Sequence, residues 1–134
     1  MAKLTVEIVT PEKRVLSVQA DEAVVPGAQG LFGVRPGHTP FLSLMDPGVL
    51  TLVDGGKRDS YFVAGGFVEV GDDRVLVLAD AAEQVSGIDV EAARRRMTDA
   101  QARLKGLSTD DARFQVEAAA VRRETARIAA AGTR

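Results

Sequence analysis

The residues that could support acid–base or metal chemistry in this 134-residue chain are few and scattered. His38 is the single histidine and there is no cysteine, so a histidine pair, a thiolate zinc site and a cysteine nucleophile are excluded. Two carboxylate pairs, Asp72-Asp73 and Asp110-Asp111, occur where a turn and a helix cap are predicted. No G-x-S-x-G nucleophile motif occurs. We therefore predict that the chain is not an enzyme.

Phosphate and nucleic-acid binding have little support in the sequence. Gly27, Gly30 and Gly33 are spaced by three residues, but the lysine of a phosphate-binding loop is missing and no helix is predicted after them, so we interpret them as turn positions. Residues 1–87 carry 7 Lys and Arg against 12 Asp and Glu, whereas residues 88–134 carry 10 against 7. The acidic body argues against nucleic acid as a partner. The basic tail indicates an acidic partner, unless its arginines simply solvate a helix.

The first two thirds of the chain predict short strands with no helix between them. Residues 3–9 alternate between apolar and polar, and a long strand over Arg14 to Val25 has a predicted bulge or bend at Asp21-Glu22. Hairpin turns are predicted at Asp54–Lys57 and Gly71–Asp73. This pattern is typical of an antiparallel β-sandwich or flattened barrel, which we assign to residues 1–86.

The segment from Pro26 to Leu50 holds four of the five prolines and five of the thirteen glycines. Such punctuation predicts turns that join very short strands. Many apolar side chains fill the gaps, and we expect these turns to be packed into a core. The apolar residues are Leu31, Phe32, Val34, Phe41, Leu42, Leu44, Val49 and Leu50.

Residues 87–134 predict an antiparallel pair of helices, so the fold class is α+β with the strands first. Asp89 is a predicted helix cap, Gly106 a stop and Ser108–Asp111 a second cap. Two narrow apolar seams are expected: Ala93, Met97, Ala100 and Leu104 on the first helix, and Phe114, Ala118, Val121, Thr125 and Ile128 on the second. Because burying alanine contributes little, we expect a weakly held and mobile hairpin.

Three stretches carry a resemblance to a known family. The run PG-x-x-G-x-x-G-V-x-PGH-x-P-x-L followed by D-PG-V-L, with Val63–Val70 and Val75–Ala82, resembles the epsilon subunit of bacterial F-type ATP synthases. The resemblance implies a non-catalytic rotor subunit whose sandwich contacts the γ subunit and the c-ring. It also implies that the hairpin extends into the catalytic alpha/beta hexamer to inhibit ATP hydrolysis. The expected location is peripheral, on the cytoplasmic face of the inner membrane, without membrane insertion, since no apolar run approaches roughly 18 residues.

Candidate contact residues follow from the same resemblance. Leu31, Phe32 and His38 would contact the c-ring, although many relatives carry an acidic residue at the position of Leu31, and His38 is alternatively a simple turn residue. The inhibitory contacts with acidic groups of the catalytic subunits would come from eight arginines. These are Arg94, Arg95, Arg96, Arg103, Arg113, Arg122, Arg123 and Arg127.

A nucleotide site is the alternative that the resemblance raises. Some epsilon subunits bind ATP through a helix-start motif, but here Ala92 replaces the arginine of that motif. The remaining candidates are Glu83, Ile88, Asp89 and Arg122, and Asp89 is alternatively only a cap. We expect no required cofactor, with weak ATP binding and an ATP-sensing module as the alternative. A sandwich that binds a sugar or another small ligand lacks an aromatic platform.

Overall fold

The computed structural model describes residues 2–133, which divide into a β unit ending at Val85 and a helical unit beginning at Ser86. Residues 1 and 134, at the outer limits of the predicted domains, lie outside this range. A short 3₁₀ helix spans Val85–Gly87. The strands are β1 Leu4–Val9, β2 Arg14–Ala20, β3 Glu22–Gly27, β4 Gly30–Val34, β5 Phe41–Met45, β6 Gly48–Asp54, β7 Lys57–Val63, β8 Gly66–Gly71, β9 Arg74–Ala79 and β10 Ala82–Gln84, and the helices are α1 Val90–Lys105 and α2 Ala112–Ala131.

The strands form one highly curved sheet, a nearly closed barrel. Their order is β10-β7-β6-β3-β5-β8-β9-β1-β2, with β4 paired to β3. All of these pairs are antiparallel except β1 and β9, which run parallel. The predicted fold class is therefore confirmed. The parallel pair joins the first strand to a strand some 70 positions later, and no local pattern indicates a pairing of that length.

The interior of the barrel is filled by one face of each strand. Val6 lies opposite both Val75 and Val18, and Val68 lies opposite Val77. All of these except Val18 are buried, together with Leu4, Ile8 and other aliphatic side chains. A strand alternates its side chains between two faces, so the regular alternation of residues 3–9 predicts this burial correctly.

The predicted long second strand is two strands with Asp21 between them. The Asp21 amide donates to Val53 O (2.8 Å), and its carboxylate accepts from the Gly55 amide (2.8 Å) and pairs with Lys3 (2.9 Å). The Gly55 hydrogen bond, and then Lys3, lower the pKa of Asp21. Asp21 is thus the bend predicted from the sequence, and it ties the end of β2 to the β6–β7 turn.

Both predicted hairpin turns are present. Gly55 and Gly56 have φ of 59° and 85°, and Asp72 and Asp73 have φ of 52° and 57°. Two successive left-handed residues are characteristic of the tight turn that joins twisted antiparallel strands. Asp73 Oδ1 also accepts from the Gly37 amide (2.7 Å), so this carboxylate fixes a neighbouring loop.

The helical hairpin begins and ends at the predicted caps. Asp89 accepts from the Ala92 amide (3.0 Å), α1 ends at Gly106, and Asp111 accepts from the Arg113 amide (2.9 Å). In α1 the predicted seam is confirmed, with Ala93 and Ala100 buried.

In α2 the predicted seam is partly wrong. Thr125 is exposed, and the buried residues are Glu124, Ala130 and Ala131. An apolar pattern could not identify Glu124, because its burial depends on charge partners from the same helix and from α1.

Gly66 is the position where we expect the largest loss of stability from a single added methyl group. Its φ is +115°, and a Cβ there would overlap the Leu78 carbonyl oxygen and approach Ala79 Cα to 2.9 Å. We expect Gly66→Ala to lower the free energy of unfolding of the β unit by about 2 kcal/mol or more. Chemical denaturation measures this loss. Gly87→Ala is the control, because nothing lies within 4 Å of its added Cβ; equal midpoints for the two variants would contradict the expectation.

The start of α2 should respond to acid. The Arg113 side chain, and then its amide, hydrogen-bond Asp111 and lower its pKa from 3.8 to about 2. A lowered pKa means that this stabilisation is complete above pH 3.8 and is lost as the pH falls towards 2. We expect a carboxyl NMR titration to show Asp111 titrating near 2, and to show a higher pKa in Arg113→Ala. An unchanged Asp111 titration in Arg113→Ala would contradict this.

Candidate functional site

The β3–β4 hairpin, His38 and β5 together carry a cluster of apolar side chains around a cavity. The β3–β4 hairpin turns at Gly30, whose φ is +123°, and places Leu31 and Phe32 at the start of β4. A Cβ on Gly27 would lie 2.9 Å from the Phe32 ring and from Gly30 O. A glycine is therefore required at position 27 to let that ring lie across the backbone of β3.

The cavity has a volume of about 300 Å³ and is lined by Leu31, Phe32, His38 and Phe41, among others. The Phe32 and Phe41 rings meet edge to face with centroids 5.3 Å apart, and the His38 ring lies 6.4 Å from Phe41. Leu31 is 72% exposed. The structure thus brings together all three residues predicted to contact the c-ring, with Phe41 as a fourth that the sequence analysis missed.

His38 also has the geometry of a turn residue. Its amide donates to Arg35 O (3.1 Å), and its Nδ1 lies 2.6 Å from Thr39 O. These contacts orient the ring towards the cavity. The turn interpretation and the contact interpretation of His38 are therefore compatible.

A second apolar surface crosses the outer face of four strands. Leu44 lies opposite Phe67, Phe67 opposite Leu78, and Leu78 opposite Val9, so β5, β8, β9 and β1 contribute one row. Leu42 extends it along β5. Leu44 is 67% and Leu42 64% exposed. We call the five residues Val9, Leu42, Leu44, Phe67 and Leu78 the apolar row.

The expectation that the apolar residues of the Pro26–Leu50 segment are packed into the core is wrong for half of them. Val34 and Leu50 are buried and Phe32 and Val49 partly so, but Leu31, Phe41, Leu42 and Leu44 are exposed. For Leu42 and Leu44 the reason is strand alternation, which turns Met45 inwards and its neighbour Leu44 outwards. The pattern Leu42-Ser43-Leu44, with apolar residues on the face opposite Met45, is the signal that could have identified this surface.

Charged side chains border the apolar row. Glu69 and Glu7 flank Leu76 in the neighbouring row across β8, β9 and β1. Glu7 accepts from Arg74 Nη2 (2.6 Å) and lies 3.5 Å from Arg14 Nη2. An apolar centre with a charged rim is the composition of a protein interaction surface.

In the helical unit, the structure places most of the predicted inhibitory arginines beside carboxylates of the hairpin itself. Six of the eight form such ion pairs, whereas Arg95 and Arg122 form none with the residues described. The pairs are Arg94–Glu91, Arg96–Glu124, Arg103–Glu117, Arg113–Asp111, Arg123–Glu124 and Arg127–Glu124.

Glu124 is the functional candidate that sequence reasoning missed. It is a carboxylate with 1% of its side chain exposed, in contact with three guanidinium groups. The signal in the sequence that could have found it is the spacing of the charged residues on the two helices. Glu117 and Glu124 are seven residues apart on α2, as are Arg96 and Arg103 on α1, so an antiparallel hairpin brings both pairs together.

The predicted ATP-binding residues belong to different parts of the chain. Glu83 lies on β10 in the β unit, while Ile88, Asp89 and Arg122 belong to the helical unit. The Asp89 carboxylate acts as the α1 cap, which agrees with its alternative interpretation. ATP binding therefore stays a prediction. Between residues 2 and 133, no cluster of three metal-binding side chains is found, and no described helix has the length and apolar character to span a bilayer.

Comparison with known proteins identifies the family. Residues 3–85 match the family model described as ATP synthase, Delta/Epsilon chain, beta-sandwich domain. The ATP synthase epsilon chain of Myxococcus xanthus (strain DK1622) is 77% identical over 99% of this chain and 98% of its own length. That of Geobacter metallireducens is 43% identical over 97% and 94%.

Solved structures agree with the sequence relatives. A chain in the Euglena gracilis mitochondrial ATP synthase, solved as OSCP/F1/c-ring, superposes with a TM-score of 0.81 at 25% identity, over 97% of this chain and 82% of that one. A chain in the Tetrahymena thermophila central stalk and c-ring structure has a TM-score of 0.64 at 18% identity, which supports the fold alone. The resemblance seen in the sequence is confirmed: the chain belongs to the ATP synthase epsilon-chain family, the non-catalytic subunits of the central stalk.

Proposed function

We propose that this chain is a rotor subunit of a bacterial ATP synthase, at the cytoplasmic face of the inner membrane. The β unit docks on the γ subunit and the c-ring and couples ring rotation to the catalytic hexamer. The helical unit regulates the complex by inhibiting ATP hydrolysis. Support comes from the family, from the bacterial relatives named ATP synthase epsilon chain, and from two surfaces of the β unit.

The apolar row is the observation that carries the docking proposal. Five aliphatic or aromatic side chains face outwards on adjacent strands, two of them about two-thirds exposed. Apolar area in water costs about 25 cal/mol per Å², and a contiguous patch of this kind marks an interaction site. An apolar row that crosses four adjacent strands fits the side of an elongated partner. We therefore assign it to the γ subunit.

The cavity beside the β3–β4 hairpin is assigned to the c-ring. Leu31, Phe32 and His38 line it with Phe41, and the lining carries no acidic side chain. This contact is consequently apolar and shape-based rather than charge-paired. A cavity of about 300 Å³ has room for a side chain from a polar loop of the ring.

The inhibitory role is assigned to the arginines of the hairpin. Guanidinium groups hydrogen-bond carboxylates through two parallel donors, so an arginine-rich helix fits an acidic surface of the catalytic subunits. Arg95 and Arg122 are available for such a surface without losing an ion pair to residues 2–133. The other six must first leave the carboxylates that they contact.

Replacing Leu44 with glutamate tests the docking surface. Leu44 is exposed, so Leu44→Glu leaves folding intact but places a charge in a dry contact. We expect at least a roughly tenfold loss of affinity for the γ subunit, measured by titration with purified γ. Val116→Glu is the matched control, because Val116 is also 67% exposed but lies on α2. Equal γ affinity for Leu44→Glu and the unmodified chain would refute the assignment.

Arg95 and Arg122, which form no ion pair with the described residues, provide a test of the inhibitory role. We expect the double variant Arg95→Gln with Arg122→Gln to raise ATP hydrolysis by the assembled complex roughly threefold or more. Neither change breaks an ion pair of the described hairpin, so the effect reports contacts with other subunits. The control is Lys57→Gln with Arg58→Gln, which removes the same charge from the start of β7. If both double variants hydrolyse ATP at the unmodified rate, the inhibitory role is wrong.

A further inference from the structure

Glu124 has an unusual environment for a carboxylate. One oxygen, Oε1, accepts from Arg96 Nε on α1 (3.0 Å) and lies 3.5 Å from Arg127 Nε, while Oε2 accepts from Arg123 Nε (3.0 Å). The Glu124 side chain is 1% exposed. A carboxylate is stable in such a place only while guanidinium groups neutralise and hydrogen-bond it.

This contact is one of two ion pairs that join the helices. Arg103 Nε donates to Glu117 Oε2 (2.7 Å), one heptad away from the Arg96–Glu124 pair on both helices. Glu117 is 15% exposed and Arg103 58%, so water screens this second pair. The Glu124 pair is the one that water cannot easily replace while the hairpin is closed.

The apolar contribution to closing the hairpin is small. The fully buried apolar residues of the two helices are alanines (Ala93, Ala100, Ala130 and Ala131), and the larger apolar side chains of the seams are only partly buried: Met97, Leu104, Phe114, Val121 and Ile128. Each alanine methyl contributes only about 0.8 kcal/mol on burial. Ordering two helices also costs conformational entropy, so the charged contacts between them matter for keeping the hairpin closed.

We propose that Glu124 is a latch: its carboxylate, held by Arg96, Arg123 and Arg127, keeps α1 and α2 together, and the hairpin opens when water or another carboxylate takes its place. The released groups are charged, so opening hydrates them instead of exposing a large apolar face. Opening frees the Arg96 guanidinium group of α1, while Arg123 and Arg127 lie on α2 and stay beside Glu124. The regulatory meaning of the latch rests on the proposed function, whereas the latch itself is a property of residues 90–131.

The first test compares two carboxylates in the full chain by amide hydrogen exchange. Glu124→Gln removes the latch charge, while Glu91→Gln removes the partner of Arg94 within α1, at a side chain 74% exposed. We expect exchange throughout α2 to rise at least about tenfold in Glu124→Gln. We expect a change below about twofold in Glu91→Gln. Equal α2 exchange in the two variants would overturn the latch.

A second variant covers the case in which Glu124→Gln unfolds the helices altogether. Arg96→Leu with Glu124→Leu replaces the charged pair by an apolar pair, which is commonly neutral or stabilising. We expect α2 exchange in this double variant to return to within about threefold of the unmodified chain. Exchange in β1 and β9, in the other unit, serves as the internal folding control. Fast α2 exchange in the double variant, with β1 and β9 unchanged, would contradict the latch.

Hydrolysis by the assembled complex separates the latch from the proposed function. Faster α2 exchange in Glu124→Gln, together with a lower hydrolysis rate, supports both. Faster exchange with unchanged hydrolysis supports the latch and contradicts the inhibitory role. Unchanged exchange in Glu124→Gln, together with faster hydrolysis in the Arg95 and Arg122 double variant, contradicts the latch and leaves the inhibitory role standing.

Discussion

The interior of a small barrel accepts only one face of each strand, and this constraint governs the β unit. Aliphatic side chains such as Val6, Val68 and Val77 fill the interior, so whatever alternates with them must face outwards. On β2, and on the first half of β7 next to the β6–β7 turn, the outward residues are largely polar or charged. On β5, β8 and β9 they include Leu44, Phe67 and Leu78. A sheet apolar on both faces needs a second covering layer, and the γ subunit is the partner that we propose for it.

The helical unit is built on the opposite physical basis. Its helices bury alanines and one glutamate, and two ion pairs set the register between them. A single missing partner in a buried ion pair is costly, because the remaining charge loses its compensation. Such contacts therefore specify the register between the two helices but contribute little to the total stability of the hairpin. Apolar burial has the reverse character, since it is strong and indifferent to small displacements.

The sequence predicts those parts of the structure that local rules determine. Asp89, Asp111 and Gly106 are recognisable as helix ends because each satisfies backbone groups a few residues away. Asp21 is recognisable as a bend for a similar local reason. The parallel pairing of β1 with β9 and the burial of Glu124 are not local. Each depends on residues far away in the chain, and apolarity alone misassigns both Leu44 and Glu124.

The two units together give a physical reason for dividing docking from regulation. A contact that must persist through rotation is best made by apolar area, since salt and competing carboxylates do not displace it. A contact that must be released and remade is best made by charged groups. When one partner leaves, water or another group with the same charge as that partner takes its place. Arg96 and Arg123 have about two-fifths or more of their side chains exposed while they hold Glu124, so an incoming carboxylate reaches them before the pair is broken. In the proposed opening, one guanidinium group is then shared between Glu124 and the incoming carboxylate, so no buried charge is left fully unpaired. Under the proposed latch, this ordering makes an acidic surface itself the agent that opens the hairpin.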